Sequence, residues 1–406
     1  MKIAVIVAEY NPFHNGHAHH IQQTRAQDGR CRATHVVAVM SGHFVQRGEP
    51  ALLPKPERVR MALAGGADLV LELPLPWSLA SAEGFAYGAV SILDALGCVE
   101  VISFGSECGD AAALEKAAAV LEEPRFGQLL RFRLEEGISF PEARQKAVAD
   151  IAGQKTAALF SSPNNTLGIE YLKAAARLGS SLRPFTIPRF GAEHDDLQPL
   201  GDVASASYIR RLVAAGRPLN AAPFLPPACY AILGKAAQAG RCPASVTLLE
   251  RALLARFREM EPSDWLMVPG VSEGLENRLA DAARQAAGWT DLLQRVKTKR
   301  YPLTRLQRLL WAAFLGIPRG LEKERPPYAR VLGLGPKGEE ILSAVKNAPA
   351  ARAIPLVSRP GRIETLGEAA RQIWRLENRA ADLYALALPE PYPCGAEYTA
   401  GVIRLE

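Results

Sequence analysis

Four short apolar runs in the first 107 residues, each followed by a stretch with helical periodicity, leave few folds open to this chain. The runs are KIAVIVA (2–8), ATHVVAVMSG (33–42), DLVLELPLP (68–76) and VEVISFGSE (99–107). Ile, Val and Leu fill them with little polar alternation, which is typical of strands buried on both faces of a parallel sheet. Strands and helices that alternate at this spacing predict an α/β fold with a Rossmann-like, doubly wound parallel sheet. SLRPFTIPRFG (181–191) predicts a further strand.

The second half of the chain has a different pattern of apolar residues. From about Gly216 onwards helical periodicity dominates, as in TRLQRLLWAAFLG (304–316), and clear strand patterns are few. A small α/β tail is predicted at ARVLGLGPKGEEILSAV (329–345). We therefore expect two units, an α/β catalytic domain over 1–215 and a mainly α-helical region over 216–406.

Charge is divided unevenly along the chain, whose formal net charge is +6. Residues 207–406 carry 29 Lys and Arg against 19 Asp and Glu, a balance of +10, so residues 1–206 have a balance of −4. The seven histidines all lie in the acidic half: His14, His17, His19, His20, His35, His43 and His194. A histidine-bearing half joined to a basic half indicates a catalytic part and a part that binds a polyanion.

Composition excludes several classes of protein. Apolar residues make up 48% and charged residues 22% of the chain, as in ordinary globular proteins. No apolar run approaches the ~20 residues that a membrane helix needs, and the apolar run in MKIAVIVAEY is too short for the core of a signal peptide. Six cysteines without a CxxC pair favour neither a zinc site nor a disulfide framework. We expect a cytoplasmic protein that does not bind a membrane.

Residues 9–20, EYNPFHNGHAHH, hold four of the seven histidines. This segment lies where the first predicted strand gives way to a helix, the position at which open α/β sheets bind ligands. Gly16 lets the backbone approach a ligand, and the helix start offers N–H groups and a positive dipole end to an anion. His14 and His17 add imidazole donors suited to an oxyanion that gains charge in a transition state. His20 lies one turn further along, and His19 is expected to be incidental.

Two other interpretations of these histidines stay open on the residues alone. Three histidines at a spacing of three can ligate zinc, although no nearby carboxylate or cysteine completes a recognisable ligand set. They can also simply cap the helix. We favour phosphate binding, because the histidines, the glycine and the strand–turn–helix context coincide.

Several motifs also resemble those of a known family. HNGH (14–17), directly after the first strand, is similar to the HxGH signature of the nucleotidyltransferase superfamily. More closely, a set of segments occurs in the order found in the bacterial tRNA(Met) cytidine acetate ligases: EYNPFHNGH, MSGHFVQRGEPA, GADLVLELP, SFGSE, PNNTLGIEYL, SASYIRR and VKTKRYPLTRLQRLL. The resemblance therefore runs through both halves of the chain.

The resemblance implies a two-step ligase. ATP and acetate would give acetyl-adenylate and pyrophosphate, and the acetyl group would then pass to N4 of the wobble cytidine in elongator tRNA(Met). ATP is then a substrate that Mg²⁺ accompanies, no acetyl-CoA is expected, and no protein partner is implied. A small-molecule adenylyltransferase of coenzyme biosynthesis, and a non-catalytic RNA-binding protein on an inactive nucleotide fold, remain as alternatives. The basic half argues against the first, and the intact histidine pair with Arg210 argues against the second.

The resemblance also implies roles for single residues. His14, His17 and Arg210 would be catalytic. ATP would be bound by Val7, Ala8, Glu9, Tyr10, Asn11, Pro12, Phe13, His14, Asn15, Gly16, His17, His20, Gly105, Asn165, Arg189, Ser205 and Ser207. In this set Asn164 competes with Asn165, and Gly105 fits a simple turn glycine equally well. Tyr208 follows Ser207 where the family more often has a small residue.

The loop MSGHFVQRGEPA (40–51) is expected near the same site. Arg47 would be available to phosphate, and the role of His43 is open. Lys55 and Arg58, just beyond the loop, either face the phosphates or are solvated helix charges.

Basic residues cluster at 295–308 in the second half. Lys297, Lys299, Arg300, Arg305 and Arg308 are predicted to contact RNA phosphates, with the neighbouring Tyr301 available to stack on an unpaired base. A solvated helix face with its leucines turned inward explains the same pattern. We favour RNA binding, chiefly because the family that the chain resembles binds tRNA.

Overall fold

The computed structural model describes residues 1–27, 29–189, 199, 201–272, 274–299, 301–348 and 354–405. The strands are β1 (Ile3–Ala8), β2 (His35–Ser41), β3 (Phe44–Val45), β4 (Glu49–Pro50), β5 (Leu69–Leu73), β6 (Val101–Ser106), β7 (Arg183–Pro188), β8 (Ala329–Leu334), β9 (Leu356–Val357) and β10 (Ile403–Arg404). The helices are α1 (Asn15–Arg25), α2 (Lys55–Ala64), α3 (Leu75–Ser78), α4 (Ala82–Ala95), α5 (Ala111–Leu121), α6 (Pro124–Glu135), α7 (Phe140–Ala158), α8 (Pro163–Leu178), α9 (Ala206–Ala214), α10 (Pro227–Gln238), α11 (Val246–Arg258), α12 (Pro262–Leu266), α13 (Leu275–Gln285), α14 (Trp289–Val296), α15 (Leu303–Leu315), α16 (Gly338–Lys346), α17 (Glu368–Ala385) and α18 (Ala396–Thr399).

One sheet organises the molecule, with the strand order β10–β8–β5–β2–β1–β6–β7. The five strands predicted from the first half are β1, β2, β5, β6 and β7, and they pair in parallel. The predicted α/β fold is thus confirmed. The chain runs outward from β1 to β2 and β5 and then returns to β6 on the other side of β1. The topological switch point, where such sheets bind ligands, therefore lies between β1 and β6.

Helices cover both faces of this sheet. Successive residues of a strand point to opposite faces, so Val5 of β1 packs with α4 and α8 while Ile6 packs with α2 and α9. Helices of the second half extend both layers, with α10 on the side of α2 and with α15 and α17 in the opposite core. Among the helices described, none is both long and apolar enough to cross a bilayer.

The strand and helix predicted at 329–345 are present as β8 and α16, but they do not form a separate tail. β8 pairs antiparallel with β5 and extends the main sheet, and β10 then pairs with β8. All six residues of β8 are buried, and a Cβ on Gly333 would lie 2.6 Å from Val59 of α2, so the strand fits only tightly under that helix. Strands from both sides of the boundary expected near residue 216 therefore share one sheet.

Arg58 of α2 is completely buried and binds backbone carbonyls at the ends of β1 and β2. Its Nε donates to Leu53 O at 3.2 Å, its Nη1 to Glu9 O at 2.7 Å and Ser41 O at 3.1 Å, and its Nη2 to Gly42 O. The interpretation in which Arg58 faces phosphates, or is a solvated helix charge, is therefore wrong. Its guanidinium instead fixes the backbone where β1 and β2 end.

Lys55, at the start of α2, is buried in the same way. Its Nζ lies 2.5 Å from Glu72 Oε1 and 2.8 Å from Glu397 Oε1. Lys55 is therefore neither solvated nor directed at a ligand, and its charge is used to join β5 to the C-terminal segment.

Replacing Arg58 by Met should lower the free energy of unfolding by about 3 kcal/mol or more, because several buried carbonyls lose their donor while the apolar stem is kept. Arg60→Met is the matched control, since the Arg60 side chain is half exposed on the same helix and should change stability by less than about 0.5 kcal/mol. Chemical denaturation of both variants measures the difference. Equal stability of the two variants would contradict the role given to Arg58.

Candidate active site

A cavity of about 810 Å³ opens at the carboxyl ends of β1, β6 and β7, beside the switch point. Its wall includes most of the residues predicted to bind nucleotide: Val7, Ala8, Glu9, Tyr10, Asn11, His14, Asn15, Gly16, His17, His20, Gly105, Arg189 and Ser205. Arg210 and Arg47, predicted near the phosphates, line it too. Folding thus gathers into one cavity residues that are far apart in the sequence.

His14 and His17 cap helix α1 with their Nδ1 atoms. His14 is the N-cap residue, and its Nδ1 accepts from Gly16 N at 3.1 Å. His17 Nδ1 in turn accepts from the backbone N of His14 at 3.2 Å. The two rings are stacked, with centroids 3.8 Å apart. Because each Nδ1 accepts a hydrogen bond, the proton of each neutral ring lies on Nε2, which is then a donor. Helix capping and phosphate binding are therefore compatible uses of the same pair.

Burial keeps the neighbouring rings neutral. Removal from water, together with His14, His20 and Arg189, lowers the pKa of His17 well below 6.5. Burial, with smaller effects of His19 and Arg189, lowers the pKa of His20 to about 4. At neutral pH these imidazoles are uncharged donors, so nearby cations such as Arg189 and the helix N-terminus supply the positive potential that an anion requires.

His20 is oriented by a chain of hydroxyl groups beneath the cavity. Thr24 Oγ1 donates to His20 O at 2.8 Å and lies 2.8 Å from Ser103 Oγ, which lies 2.9 Å from His20 Nε2. Since Thr24 uses its hydrogen on the carbonyl, Ser103 donates to Thr24 and His20 Nε2 donates to Ser103. Its Nδ1 is then an acceptor.

A second helix start faces the same cavity. Ser205 is the N-cap residue of α9, and its side chain accepts from Tyr208 N at 3.1 Å. Arg210, one turn further, donates to Asn11 O at 3.0 Å and lies 2.8 Å from Glu49 Oε1. The N-termini of α1 and α9 therefore direct two positive dipole ends at one cavity, an arrangement suited to several phosphate groups.

Four residues predicted to bind nucleotide do not line the cavity: Pro12, Phe13, Asn165 and Ser207. Phe13 is fully buried, and a Cβ on Gly65 would lie 2.1 Å from its ring, so it is a core residue behind the turn. Ser207 Oγ instead accepts from Arg210 Nη2 at 3.4 Å. These side chains support the wall rather than form it.

Asn164, the competing assignment, lines the cavity, whereas Asn165 lies behind it. Asn165 Oδ1 accepts from the backbone N atoms of Glu107 and Cys108 at 3.0 and 3.1 Å. The Glu107 carboxylate in turn accepts from the backbone N atoms of both asparagines. These reciprocal hydrogen bonds join the end of β6 to the start of α8. A Cβ on Gly105 would meet no described atom closer than 3.4 Å, so protein packing does not require glycine there.

Part of the wall was not predicted from the sequence. Gln46, Phe85, Phe104, Leu167 and Tyr171 line the cavity as well. The apolar members lie on β6, α4 and α8, where the pattern predicts ordinary core positions, and no local signal separates a cavity wall from a core. They add apolar surface to a wall that also carries cationic groups.

The basic cluster of the second half is divided by the fold. Lys297 and Lys299 are exposed, whereas Arg305 donates to Gly270 O at 2.9 Å and Arg308 donates to Gln46 O at 3.2 Å. Tyr301 is 8% exposed, too little for a base to stack on, so that part of the RNA interpretation is wrong. Arg300 lies outside the described residues. Of the predicted RNA contacts that the structure describes, the two lysines are the exposed ones.

Zinc ligation by the histidines is disfavoured. The Nδ1 atoms of His14 and His17 and the Nε2 atom of His20 already have hydrogen-bond partners. In the described part of the chain no three His, Cys, Asp or Glu side chains are grouped as metal ligands.

The sheet, the HxGH turn at its switch point and the two helix starts define a nucleotidyltransferase. The family model described as HIGH Nucleotidyl Transferase matches residues 1–397. Proteins called tRNA(Met) cytidine acetate ligase are similar over nearly their whole length. That of Acetivibrio thermocellus is 38% identical, covering 99% of this chain and 100% of the relative, and that of Alkaliphilus metalliredigens is 39% identical, covering 96% and 95%.

Solved structures agree with these sequence matches. Thermotoga maritima TmcAL in its apo form superposes with a TM-score of 0.93 at 33% identity, covering 100% of both chains. The same protein bound with alpha-thio ATP superposes with a TM-score of 0.91 at 32% identity, again over 100% of both chains. The chain belongs to the family of the tRNA(Met) cytidine acetate ligases, which confirms the resemblance found in its motifs.

The neutral state of His20 predicts a dependence of stability on pH. The unfolded chain, with an ordinary histidine pKa of 6.5, binds a proton below that pH, whereas the folded chain does so only near pH 4. The unfolded state thus binds more protons in this window. The free energy of unfolding therefore decreases as the pH is lowered, by up to about 1.4 kcal/mol per pH unit for each such histidine. His20→Gln should make the slope between about pH 6 and 5 shallower by that amount. Denaturant unfolding at several pH values measures it, and an unchanged slope would show that His20 is not held neutral.

Proposed function

We propose that the protein is an ATP-dependent ligase that modifies elongator tRNA(Met). It activates acetate as acetyl-adenylate, releases pyrophosphate, and transfers the acetyl group to N4 of the wobble cytidine. The observation that carries this proposal is the stacked pair His14 and His17, whose Nε2–H donors lie at a helix start in the wall of the cavity. Membership of the ligase family supports it.

The first step requires no protein nucleophile. An acetate oxygen attacks the α-phosphorus of ATP, the bond from that phosphorus to the bridging oxygen breaks, and pyrophosphate leaves. His14 and His17 donate to the phosphate oxygens as charge accumulates on them, and Ser205 with Arg210 receives the leaving phosphates. Catalysis is then positioning and charge stabilisation, in which one such donor is worth about 10²–10³ in rate.

Mg²⁺ is expected to accompany the triphosphate, where it neutralises charge on the phosphates. The proposal gives Mg²⁺ no protein ligand. Acetyl-CoA has no part in the proposal, because acetate is activated by ATP itself.

In the second step the cytidine amine attacks the acetyl carbonyl, and AMP leaves. Residues 1–215 would carry the ATP and acetate chemistry, and residues 216–406 would hold the tRNA through basic side chains such as Lys297 and Lys299. A cytoplasmic location suits a tRNA substrate.

His14→Ala should lower the rate of acetyl-adenylate formation by at least about 10²–10³-fold, because one oxyanion donor and the cap of α1 are lost. Its affinity for tRNA should stay near that of the wild type. Release of pyrophosphate from ATP with acetate measures the first effect, and filter binding of elongator tRNA(Met) measures the second. An equal loss of both would contradict the division of labour between the two halves.

The double variant Lys297→Ala, Lys299→Ala should show the opposite pattern. Formation of acetyl-adenylate should be unchanged, while tRNA binding weakens. The salt dependence of binding, as log K against log salt, should become shallower by about 0.7–0.9 for each phosphate that the variant no longer neutralises. If tRNA affinity did not change, these lysines would be solvated charges with no part in binding.

The assay also separates the alternatives. Wild-type protein incubated with ATP, acetate and elongator tRNA(Met) should give pyrophosphate and acetylated cytidine. Pyrophosphate that depends on another acceptor would indicate a small-molecule adenylyltransferase, and no ATP turnover at all would indicate a non-catalytic RNA-binding protein.

A further inference from the structure

Glu9 is an acidic side chain in the wall of a cavity that is otherwise suited to anions. It directly follows β1 and lines the same cavity as Arg47, Arg189 and Arg210. Asp202 also lines the cavity, but it is exposed to solvent. An enclosed carboxylate weakens the binding of both a triphosphate and acetate, so its presence there needs another reason.

The carboxylate of Glu9 is held in one orientation. Its Oε1 accepts from Gln46 N at 2.8 Å, and its backbone O accepts from Arg58 Nη1 at 2.7 Å. The carbonyl of Gln46 is held in turn by Arg308 of α15 at 3.2 Å. Among the described residues, no hydrogen bond is made to Glu9 Oε2. One oxygen is therefore used for positioning, and the other is available to a ligand.

Several charged or titratable groups face this carboxylate: Arg47, Glu49, Arg58, Tyr171, Arg210 and Arg308. Burial raises the pKa of Glu9 above 4.5 and Glu49 raises it further, while Arg210, the hydrogen bond from Gln46 and Arg47 act in the opposite direction. A carboxylate with a raised pKa is a better proton acceptor near neutral pH than an exposed one.

Several other titratable groups of the cavity are less suited to accept a proton. The Nδ1 atom of His20 is an acceptor, but burial lowers the pKa of this ring to about 4. The Nδ1 atoms of His14 and His17 are occupied by backbone N–H groups. Burial and the nearby Glu9 raise the pKa of the Tyr171 hydroxyl, so it stays protonated. ATP and acetate react as anions, whereas the cytidine amine is neutral and must lose a proton. The amine is therefore the reactant that a carboxylate can assist as a proton acceptor.

We propose that Glu9 is the general base of the acetyl-transfer step, a role that rests on the proposed function. As the bond between cytidine N4 and the acetyl carbon forms, Oε2 of Glu9 takes one proton from the nitrogen. The bond between the acetyl carbon and the phosphate oxygen then breaks, AMP leaves with the electron pair, and the proton is later released to solvent. Gln46 positions the base through Oε1.

Glu9→Gln tests this role, because it removes the base while keeping an oxygen for Gln46 N. Two reactions are compared at saturating ATP and acetate: acetylation of tRNA, and trapping of acetyl-adenylate by hydroxylamine, which attacks without a general base. We expect the rate of tRNA acetylation at saturating tRNA to fall about 10²–10⁴-fold. The rate of acetylhydroxamate formation should fall far less. Glu340→Gln, which removes an exposed carboxylate on α16, is the matched control and should leave both rates unchanged.

The pH profile gives a second, independent readout. Because the base must be ionised, tRNA acetylation by the wild type should decline on the acidic side with a midpoint above 4.5, and Glu9→Gln should lack this decline. Glu9→Asp keeps the charge on a shorter side chain, so it should acetylate tRNA more slowly than the wild type but retain the acidic decline.

Several results would overturn the proposal. Hydroxamate formation that falls as far as tRNA acetylation would place Glu9 in the activation of acetate instead. Wild-type tRNA acetylation by Glu9→Gln, or loss of the acidic decline in Glu9→Asp, would exclude a general base at this position. If the wild type itself made neither pyrophosphate nor hydroxamate from ATP and acetate, the proposed function would fail, and that outcome is distinct from a failure of Glu9 alone.

Discussion

A buried group of charges at the start of α2 holds the two halves of the chain in one sheet. Lys55 lies between Glu72 of β5 and Glu397 of α18, and Arg330 of β8 binds the same two carboxylates. Although burial opposes it, Lys55 and Arg330 lower the pKa of Glu397 well below 4.5, whereas burial and Glu72 raise the pKa of Glu377 well above it. Two cations thus face the carboxylates of Glu72 and Glu397. Loss of any one partner would leave an unpaired buried charge, which costs several kcal/mol.

The parts of the fold that sequence alone predicted are those set by local pattern. β1, β2, β5 and β6 are continuous apolar runs, and α1 begins where a histidine and a glycine follow a turn, so strand, turn and helix could be placed from their own residues. The turn of the candidate active site was predictable for the same reason, because His14, Gly16 and His17 lie within one helical turn.

Long-range partners were not predictable in this way. No local pattern in ARVLGLG predicts that β8 pairs with β5, some 260 residues earlier, or that the two strands are antiparallel. The burial of Arg58 also depends on carbonyls brought together only by the sheet. Asn164 and Asn165 are neighbours at a helix start. The hydrogen bonds between Asn165 and Glu107 hold Asn165 behind the wall, so that Asn164 lines the cavity. Arg308 looked like a solvated or RNA-binding charge and instead reaches the loop beside Glu9.

The histidine caps explain why this helix start uses histidine rather than the more common serine or aspartate. An aspartate cap would satisfy the same backbone N–H group but would place a negative charge at the proposed phosphate site. A serine hydroxyl would not extend a rigid donor beyond the cap. Histidine has two nitrogens on opposite sides of one ring, so Nδ1 accepts from the backbone while Nε2 donates outward. The capping bond fixes the tautomer before any ligand arrives, so the donors require no reorganisation when charge develops on the phosphate. The bonds that stabilise the first turn of α1 are thereby the bonds that orient its two imidazole donors.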